Sequence, residues 1–274
     1  MKKLIFILLF TITSCSMEKD VLITIGTPYG EMKAILFDET PEHKKNFVEL
    51  TKSGKFNSTI FHRVMKDFMI QGGDVNAKEG ANSITYTMPA EFNDKFFHSK
   101  GAIAAARMPD NVNPKQESSG CQFYIVDGRV FSKEELSTDF QKLYQGIQLL
   151  LLEEEYQEVK DQFLALQNNL VAYKELAFKY KDLVEEKYGI KSSIDIPSNR
   201  LESYSTIGGS PHLDGAYTVF GMVVEGMDVI DKIASVQTGP NNKPTEDVAM
   251  TISITMVKKN YITKNYGYQY PNLQ

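Results

Sequence analysis

A single arginine within an apolar run is the residue of this sequence best suited to chemistry. The segment 61–74, FHRVMKDFMIQGGD, places Arg63 between Phe61 and Phe68, and Gln71 follows at its end. An unpaired guanidinium in apolar surroundings is costly to desolvate, so Arg63 requires a partner or a function. Its charged, forked donor can stabilise a reacting group without titrating near neutral pH. The segment therefore predicts a site in which an arginine donates hydrogen bonds beside apolar side chains.

Structural alternatives stay open for these residues. Arg63 could instead be half of a salt bridge, and Gln71 could simply hold the turn at Gly72 and Gly73, whose glycines allow backbone angles that other residues resist. Cys121 is expected to be a small buried residue rather than a nucleophile.

The sequence predicts neither a metal site nor a cofactor. His62, His98 and His212 have no cysteine or carboxylate at ligand spacing, so we expect structural or surface roles for them. Asp74 and Asp214 stand at turns, where aspartate commonly caps the backbone. There is no phosphate-binding glycine loop.

The elements that must position Arg63 are short strands and one helix. Two strand-like runs flank a turn at 27–30, TPYG, and form a predicted β-hairpin. A helix follows, with Thr40 as N-cap, Pro41 at its first position and Gly54 just past its end. Phe47 shares an apolar face of this helix with other large residues, so the helix is expected to pack against a sheet or barrel.

Four segments resemble the signatures of cyclophilins, the peptidyl-prolyl cis/trans isomerases. They are 61–74, the strand 118–126 (SSGCQFYIV), the segment 212–221 (HLDGAYTVFG) and the turn 224–230 (VEGMDVI). The resemblance covers roughly 21–130 and 207–258. It implies a mainly β fold, a closed antiparallel barrel with flanking helices, and an enzyme that acts on proline-containing polypeptides without a cofactor.

The resemblance also implies roles for eleven side chains, matched by position. The predicted catalytic group is Arg63, Phe68 and Gln71, in which the arginine donates to the proline nitrogen as the peptide twists. The predicted substrate-binding group walls the proline pocket or binds the flanking backbone; it comprises Met69, Ala106, Arg107, Gln122, Tyr124, His212, Leu213 and Tyr217.

Four of these positions depart from the family pattern. Tyr124 stands where cyclophilins have Phe, Arg107 where Asn is commoner, His212 where many have Trp and Tyr217 where His is common. The family's best-known cyclic peptide inhibitor uses that Trp, so this chain is expected to bind the inhibitor weakly. Because Tyr217 stands where His is common, no histidine is expected to act as an essential acid or base here.

The segment 131–206 has a different character and is predicted to be an acidic helical insertion. It contains nine Lys/Arg against fourteen Asp/Glu. Between 149 and 184 apolar residues recur three and four apart, as in a heptad stripe. A helical hairpin broken at 167–169, with arms of about 30 Å, is favoured over one long helix. The stripe could close the hairpin on itself, mediate self-association, or contact clients as a chaperone or scaffold in place of isomerisation.

The first residues indicate export and a membrane anchor. Lys2 and Lys3 precede a short apolar run, which is typical of a secretory signal peptide and too short to span a bilayer. The sequence ITSC at 12–15 resembles a bacterial lipobox, so Cys15 is predicted to be lipidated, against the alternative of an ordinary signal peptide with a chance cysteine. Ser16 favours the outer membrane, on its periplasmic or surface face. The expected location is thus a cell-envelope lipoprotein.

Charge and length complete the predicted organisation. Removing the signal peptide takes the formal charge from −5 to −7, which gives no basis for nucleic-acid binding. The predicted units are a signal peptide (1–14), a lipidated linker (15–20), a discontinuous barrel (21–130 and 207–260), the insertion (131–206) and a Tyr-rich tail (261–274).

Overall fold

A computed structural model describes residues 18–77 and 83–270 of the chain. The predicted signal peptide and Cys15 lie outside the described residues. Strands and helices alternate unevenly, with most strands before residue 127 and most helices after it. The strands are β1 Lys19–Thr27, β2 Gly30–Leu36, β3 Thr59–Met65, β4 Met69–Gly72, β5 Thr87–Met88, β6 Ala102–Ala105, β7 Ser118–Ser119, β8 Phe123–Val126, β9 Val219–Glu225 and β10 Ala249–Lys258.

Eight of these strands close into an antiparallel barrel. Their order around it is β1, β10, β3, β4, β8, β6, β9 and β2, and β5 pairs with β7 in a separate small sheet. The hairpin of β1 and β2 turns between Thr27 and Gly30, as predicted. The closed barrel confirms the fold class inferred from the sequence.

The barrel has an apolar interior and an outer face that carries a second apolar cluster. Along β8, Phe123 and Ile125 belong to the interior cluster, whereas Tyr124 and Val126 belong to the outer one. Successive side chains of a strand point to opposite faces, which separates these two sets. Met69 on β4 also belongs to the outer cluster.

Helices pack on the barrel and also form the connection between β8 and β9. They are α1 Pro41–Lys52, α2 Lys133–Leu136, α3 Phe140–Leu150, α4 Gln157–Ala165, α5 Leu170–Lys179, α6 Lys181–Tyr188, α7 Ser198–Thr206, α8 Met227–Ala234 and α9 Lys259–Tyr266. The six from α2 to α7 make up this connection. No helix within the described ranges is both long and apolar enough to cross a membrane.

The start of α1 differs in one detail from the prediction. Thr40 occupies the N-cap position and Pro41 follows it, but the Thr40 hydroxyl makes no cap hydrogen bond. The carboxylate of Glu91 caps the helix instead, accepting from the backbone N–H groups of Glu42 at 3.1 Å and His43 at 3.0 Å. A distant carboxylate thus satisfies donors that are orphaned at every helix start.

The insertion is helical and breaks where the hairpin was predicted to turn, but neither predicted arm of about 30 Å is one continuous helix. The chain does break between α4 and α5, around the predicted 167–169, yet each arm is itself broken and the longest helix of the insertion has 11 residues. The start of the predicted stripe does not face the core: Leu149 and Leu152 are exposed, whereas Leu150, which is not part of the stripe, is buried. Breaking the arms lets the short helices enclose a core of their own, which includes Phe163.

The Tyr-rich tail, which suggested nothing from sequence, packs on the barrel. Ile262 on α9 is fully buried, and the Tyr268 ring stacks on Phe37 with centroids 5.9 Å apart. The hydroxyl of Tyr270 donates to Asp20 Oδ2 at 2.9 Å. The aromatic residues of this segment therefore fasten the end of the described chain beside β1.

Candidate active site

Arg63 lies on β3 opposite Gln71 on β4, and their side chains meet on the outer face of the barrel. Nη1 of Arg63 donates to Oε1 of Gln71 at 3.3 Å, and Nη2 contacts Sδ of Met65 at 3.1 Å. The Phe68 ring lies 6.0 Å from the guanidinium carbon. Within 18–77 and 83–270, no carboxylate comes within ion-pair distance of Arg63. The salt-bridge alternative is therefore not what the described residues show.

Gln71 connects Arg63 to the neighbouring strand. Its Nε2 donates to Oε1 of Gln122 at 3.1 Å while its Oε1 accepts from Arg63. The turn that follows depends on Gly73, whose φ of +78° and closeness to the Phe123 ring both disfavour a side chain. The Gln71 amide is thus directed toward the site rather than toward the turn.

Nine of the eleven predicted side chains line one small cavity of about 80 Å³ beside the guanidinium. Its walls are mainly aromatic and aliphatic, and four of them, Met69, Ala106, Tyr124 and Leu213, are less than a tenth exposed. The nine residues are Arg63, Phe68, Met69, Gln71, Ala106, Arg107, Tyr124, Leu213 and Tyr217.

The other two predicted residues border this cavity. Gln122 lines an adjoining groove of about 490 Å³, which also includes Gln71 and Arg107. His212 is exposed and its ring lies 5.4 Å from that of Phe68. The backbone N–H of Ala106 donates to the Gln122 carbonyl at 3.0 Å, so this donor is already used. Ala106 therefore lines the cavity with its side chain.

The Arg107 side chain is held against the wall of the cavity and does not project away from it. Its Nε donates to the carbonyl of Ala216 at 2.8 Å, and its guanidinium carbon lies 4.4 Å from the centroid of the Tyr217 ring. Asp110 accepts from Nη1, which leaves the Arg107 side chain only 5% exposed. This arginine fixes Tyr217 and the loop at Ala216 against the cavity.

The arrangement suits the binding of a small apolar ring next to a charged donor. A cavity with aromatic walls excludes water, and a fixed guanidinium at its edge gains strength in that dry environment. Among the described residues, no group of three or more His, Cys, Asp or Glu side chains could hold a metal ion. Cys121 is buried, and burial raises the pKa of its thiol above the usual value.

Comparison with known proteins agrees with this geometry. Residues 21–165 and 184–254 match the family described as cyclophilin type peptidyl-prolyl cis-trans isomerase/CLD. The chain belongs to this cyclophilin family. A crystal structure of a Cryptosporidium parvum cyclophilin type isomerase shares its fold, with a TM-score of 0.51 and 19% identity over 87% of this chain and 98% of that one.

Two curated bacterial relatives resemble most of the chain. A Staphylococcus saprophyticus protein, provisionally named a peptidyl-prolyl cis-trans isomerase, is 27% identical over 84% of this chain and 89% of its own length. A Streptococcus pyogenes protein, provisionally named a bifunctional phosphatase/peptidyl-prolyl cis-trans isomerase, is 31% identical over 82% of this chain. The chain spans 37% of the length of that second relative.

Tyr124, which stands where cyclophilins have Phe, is hydrogen-bonded to a residue that the sequence analysis did not identify as part of the site. The Tyr124 hydroxyl points to Nε2 of His98 at 3.0 Å, and Nδ1 of His98 lies 2.9 Å from Oδ1 of Asp214. Burial raises the pKa of Tyr124 well above its usual value. A buried phenol requires a hydrogen-bond partner, so the tyrosine itself was the signal that could have led to His98.

Proposed function

We propose that this protein accelerates cis/trans rotation about X-Pro bonds, with Arg63 stabilising the twisted transition state. The observation that carries the proposal is the position of Arg63: a guanidinium without a carboxylate partner, at the edge of a cavity walled by Met69, Tyr124 and Leu213. Its only polar contacts in the described chain are to Gln71 and Met65, so part of its donor capacity stays available to a substrate.

The chemistry requires no covalent step. Rotation disrupts amide resonance against a barrier of about 18–20 kcal/mol, and the proline nitrogen gains a lone pair as it becomes pyramidal. A guanidinium can donate to that nitrogen only after resonance is lost, so the hydrogen bond favours the transition state over the ground state. An acceleration of about 10⁵ requires roughly 7 kcal/mol, which this donor shares with twisting and desolvation in the cavity.

Arg63→Ala tests the proposal directly. In an exchange measurement by NMR on a short X-Pro peptide, we expect kcat/KM to fall by about 10²-fold or more, the effect of losing one transition-state donor. Arg63→Lys should recover only part of the rate, because an ammonium lacks the planar fork. Lys66→Ala, an exposed cation on the turn after β3, is the matched control and should retain full activity. Equal rates for wild type and Arg63→Ala would contradict the proposal.

We further propose that the natural substrates are exported polypeptides and that the enzyme is anchored to a membrane through Cys15. The support is the sequence before residue 18, where a charged start, a short apolar run and ITSC are typical of a lipoprotein. Labelling cells with a radioactive fatty acid should mark wild type but not Cys15→Ser, and fractionation with protease accessibility should locate it in the outer membrane. A soluble, unlabelled wild type would contradict the anchor.

A second candidate function, client binding by the insertion, has a specific observation in its favour. A cavity of about 570 Å³ opens between α2 and α5, and Leu170 and Val171 at its lining are 64% and 69% exposed. Three glutamates and two cations also line it; Arg129 pairs with Glu135, whereas Glu134 and Glu175 have no ion-pair partner among the described residues, and Lys174 lies over the Phe140 ring. An unfolded segment with apolar side chains flanked by Lys or Arg would complement this surface.

Replacing Leu170 and Val171 together by Ser tests this role separately. We expect the double variant to lose its ability to suppress aggregation of a basic, unfolded protein while its turnover of a short X-Pro peptide stays unchanged. The exposed pair Leu149 and Leu152, replaced in the same way, serves as the control. Equal suppression by all three proteins would exclude the cavity as a client site, and dimerisation abolished by the first pair would assign it to self-association.

A further inference from the structure

A buried chain of hydrogen bonds runs from the insertion to the proline-sized cavity. It begins at Tyr204 on α7, whose hydroxyl donates to Oδ2 of Asp214 at 2.7 Å. The other oxygen of Asp214 lies 2.9 Å from Nδ1 of His98, and Nε2 of His98 lies 3.0 Å from the Tyr124 hydroxyl. Tyr124 is a wall of the cavity. Three hydrogen bonds therefore connect a helix of the insertion to the site.

Burial makes this series of hydrogen bonds rigid. Tyr204 and His98 are 0% exposed and Tyr124 is 4% exposed, so water cannot replace a lost partner at these groups. Burial acts to raise the pKa of Asp214, but the hydrogen bonds from His98 and Tyr204 outweigh it and the net pKa lies below the usual value. An ionised carboxylate only accepts, so Nδ1 of His98 must donate to it. In the neutral imidazole Nε2 then accepts from Tyr124.

This series of hydrogen bonds holds two wall residues of the cavity in place, Leu213 and Tyr124. Asp214 directly follows Leu213, a second wall residue, and its Oδ1 also accepts from the backbone N–H of His98 at 2.9 Å. The His98 ring is nearly parallel to that of Tyr124, at 14° and 6.0 Å between centroids. Moving the Asp214 carboxylate would therefore displace Leu213 through the backbone and Tyr124 through His98.

Within the described residues, two side chains of α7 link the insertion to Asp214. Besides Tyr204, Arg200 places Nη1 3.4 Å from Oδ2 of Asp214 and donates from Nη2 to the Asp94 carbonyl at 2.8 Å. The Tyr204 ring packs edge-on against Phe97, next to His98, with centroids 5.5 Å apart. Both hydrogen-bonding side chains come from the segment 131–206 that the sequence analysis separates from the barrel, although the family match extends over 184–254 and so includes α7.

We propose that Tyr204 is a positioning residue of the proline pocket, acting through Asp214 and His98 on the Tyr124 ring. The insertion is then part of the site that binds the proline ring, in addition to any client contact of its own. This inference rests on the proposed isomerase function. A pocket wall contributes to binding of both the ground state and the transition state, so its loss should appear chiefly in KM.

A double-mutant cycle on the full chain tests the proposal. Tyr204→Phe keeps the buried ring and removes only the hydroxyl, and we expect KM for a short X-Pro peptide to rise by about three- to tenfold, with kcat within about twofold of wild type. In a Tyr124→Phe background, where the last link is already absent, the same change should raise KM by less than about twofold. Tyr144→Phe, an exposed insertion tyrosine whose hydroxyl has no hydrogen bond in the described chain, is the control and should leave KM unchanged.

Each result decides the matter. An unchanged KM in Tyr204→Phe would overturn the positioning role, and so would a rise that is equally large in the Tyr124→Phe background, because the effect would then bypass Tyr124. An inactive wild type would overturn the proposed function together with the inference, whereas an active wild type with an unaffected Tyr204→Phe overturns the inference alone. If Tyr204→Phe fails to fold, Arg200→Gln removes the second contact to Asp214 and should raise KM by about twofold, an effect again absent when Tyr124 is Phe.

Discussion

Arg63 and Gln71 face each other across β3 and β4, and the Gln71 amide stands between the guanidinium and Gln122. Because Nε2 of Gln71 donates to Gln122, its carbonyl oxygen is directed at Arg63. The acceptor that orients the arginine is therefore itself oriented by a third side chain. A side chain as long as arginine loses much rotamer freedom when it is held in this way, so the position of the donor is fixed before a substrate arrives.

Replacing Gln71 by Leu should loosen Arg63 without removing its charge. We expect kcat/KM on an X-Pro peptide to fall by about tenfold, or about 1.4 kcal/mol, since a misplaced donor reaches the proline nitrogen less often. Exchange rates measured by NMR give the value. Gln148→Leu, an exposed glutamine of the insertion, should leave the rate unchanged. Wild-type activity in Gln71→Leu would show that Arg63 is oriented by other contacts.

Glu91 should stabilise the fold more than its position in a loop suggests. Glu91→Ala removes both backbone caps of α1 and the 2.6 Å contact to Nδ1 of His43. Loss of a helix N-cap costs about 1–2 kcal/mol, so the urea midpoint should fall while the m-value stays constant. Glu246→Ala, an exposed glutamate without a hydrogen bond or ion pair in the described chain, is the control. Equal midpoints would mean that water replaces the cap.

The sequence predicted the barrel, and which side chains lie together around Arg63, better than the shape of the insertion, for a physical reason. Arg63, Gln71 and the glycines after them are local features whose types restrict what they can do. The break at 151–156, between α3 and α4, follows from packing of short helices around Phe163. The sequence has no Gly or Pro there that would predict it. Tertiary packing of this kind overrides a helical repeat read from one chain.

Partners distant in sequence were likewise beyond prediction. Glu91 caps a helix that begins about fifty residues earlier, and Asp214 accepts from the backbone N–H of His98, which lies 116 residues away. Each of these contacts replaces a simpler expectation: a Thr40 cap in the first case and an isolated turn aspartate in the second. Only the closed barrel brings these groups together.

Stability should fall as the pH drops below about 6.5, the usual histidine pKa. Burial lowers the pKa of His43 and His62, and for His43 it outweighs the opposing effect of Glu91. As the pH falls, the unfolded chain therefore takes up protons before the folded chain does, and each such histidine reduces the free energy of unfolding by at most about 1.4 kcal/mol per pH unit.

Urea denaturation at pH 7.5 and pH 5.5 measures this dependence. The His43→Leu variant should show a smaller loss of stability between the two pH values than wild type, whatever its stability at pH 7.5. A residual loss is expected from His62. An identical loss in both proteins would mean that His43 does not contribute to the pH dependence.

His212 should determine how the cyclic peptide inhibitor of cyclophilins binds. Its exposed imidazole lies beside Phe68 at the position where many cyclophilins have the tryptophan that the inhibitor uses. A buried tryptophan anchor in an interface contributes about 2 kcal/mol or more, so His212→Trp should tighten binding by roughly thirtyfold. Inhibition of X-Pro exchange gives both affinities. His212→Leu separates the two contributions of the indole: it is apolar but lacks the N–H donor, and should gain much less. Tight inhibition of wild type would show that the rest of the surface around Phe68 supplies the affinity without the tryptophan.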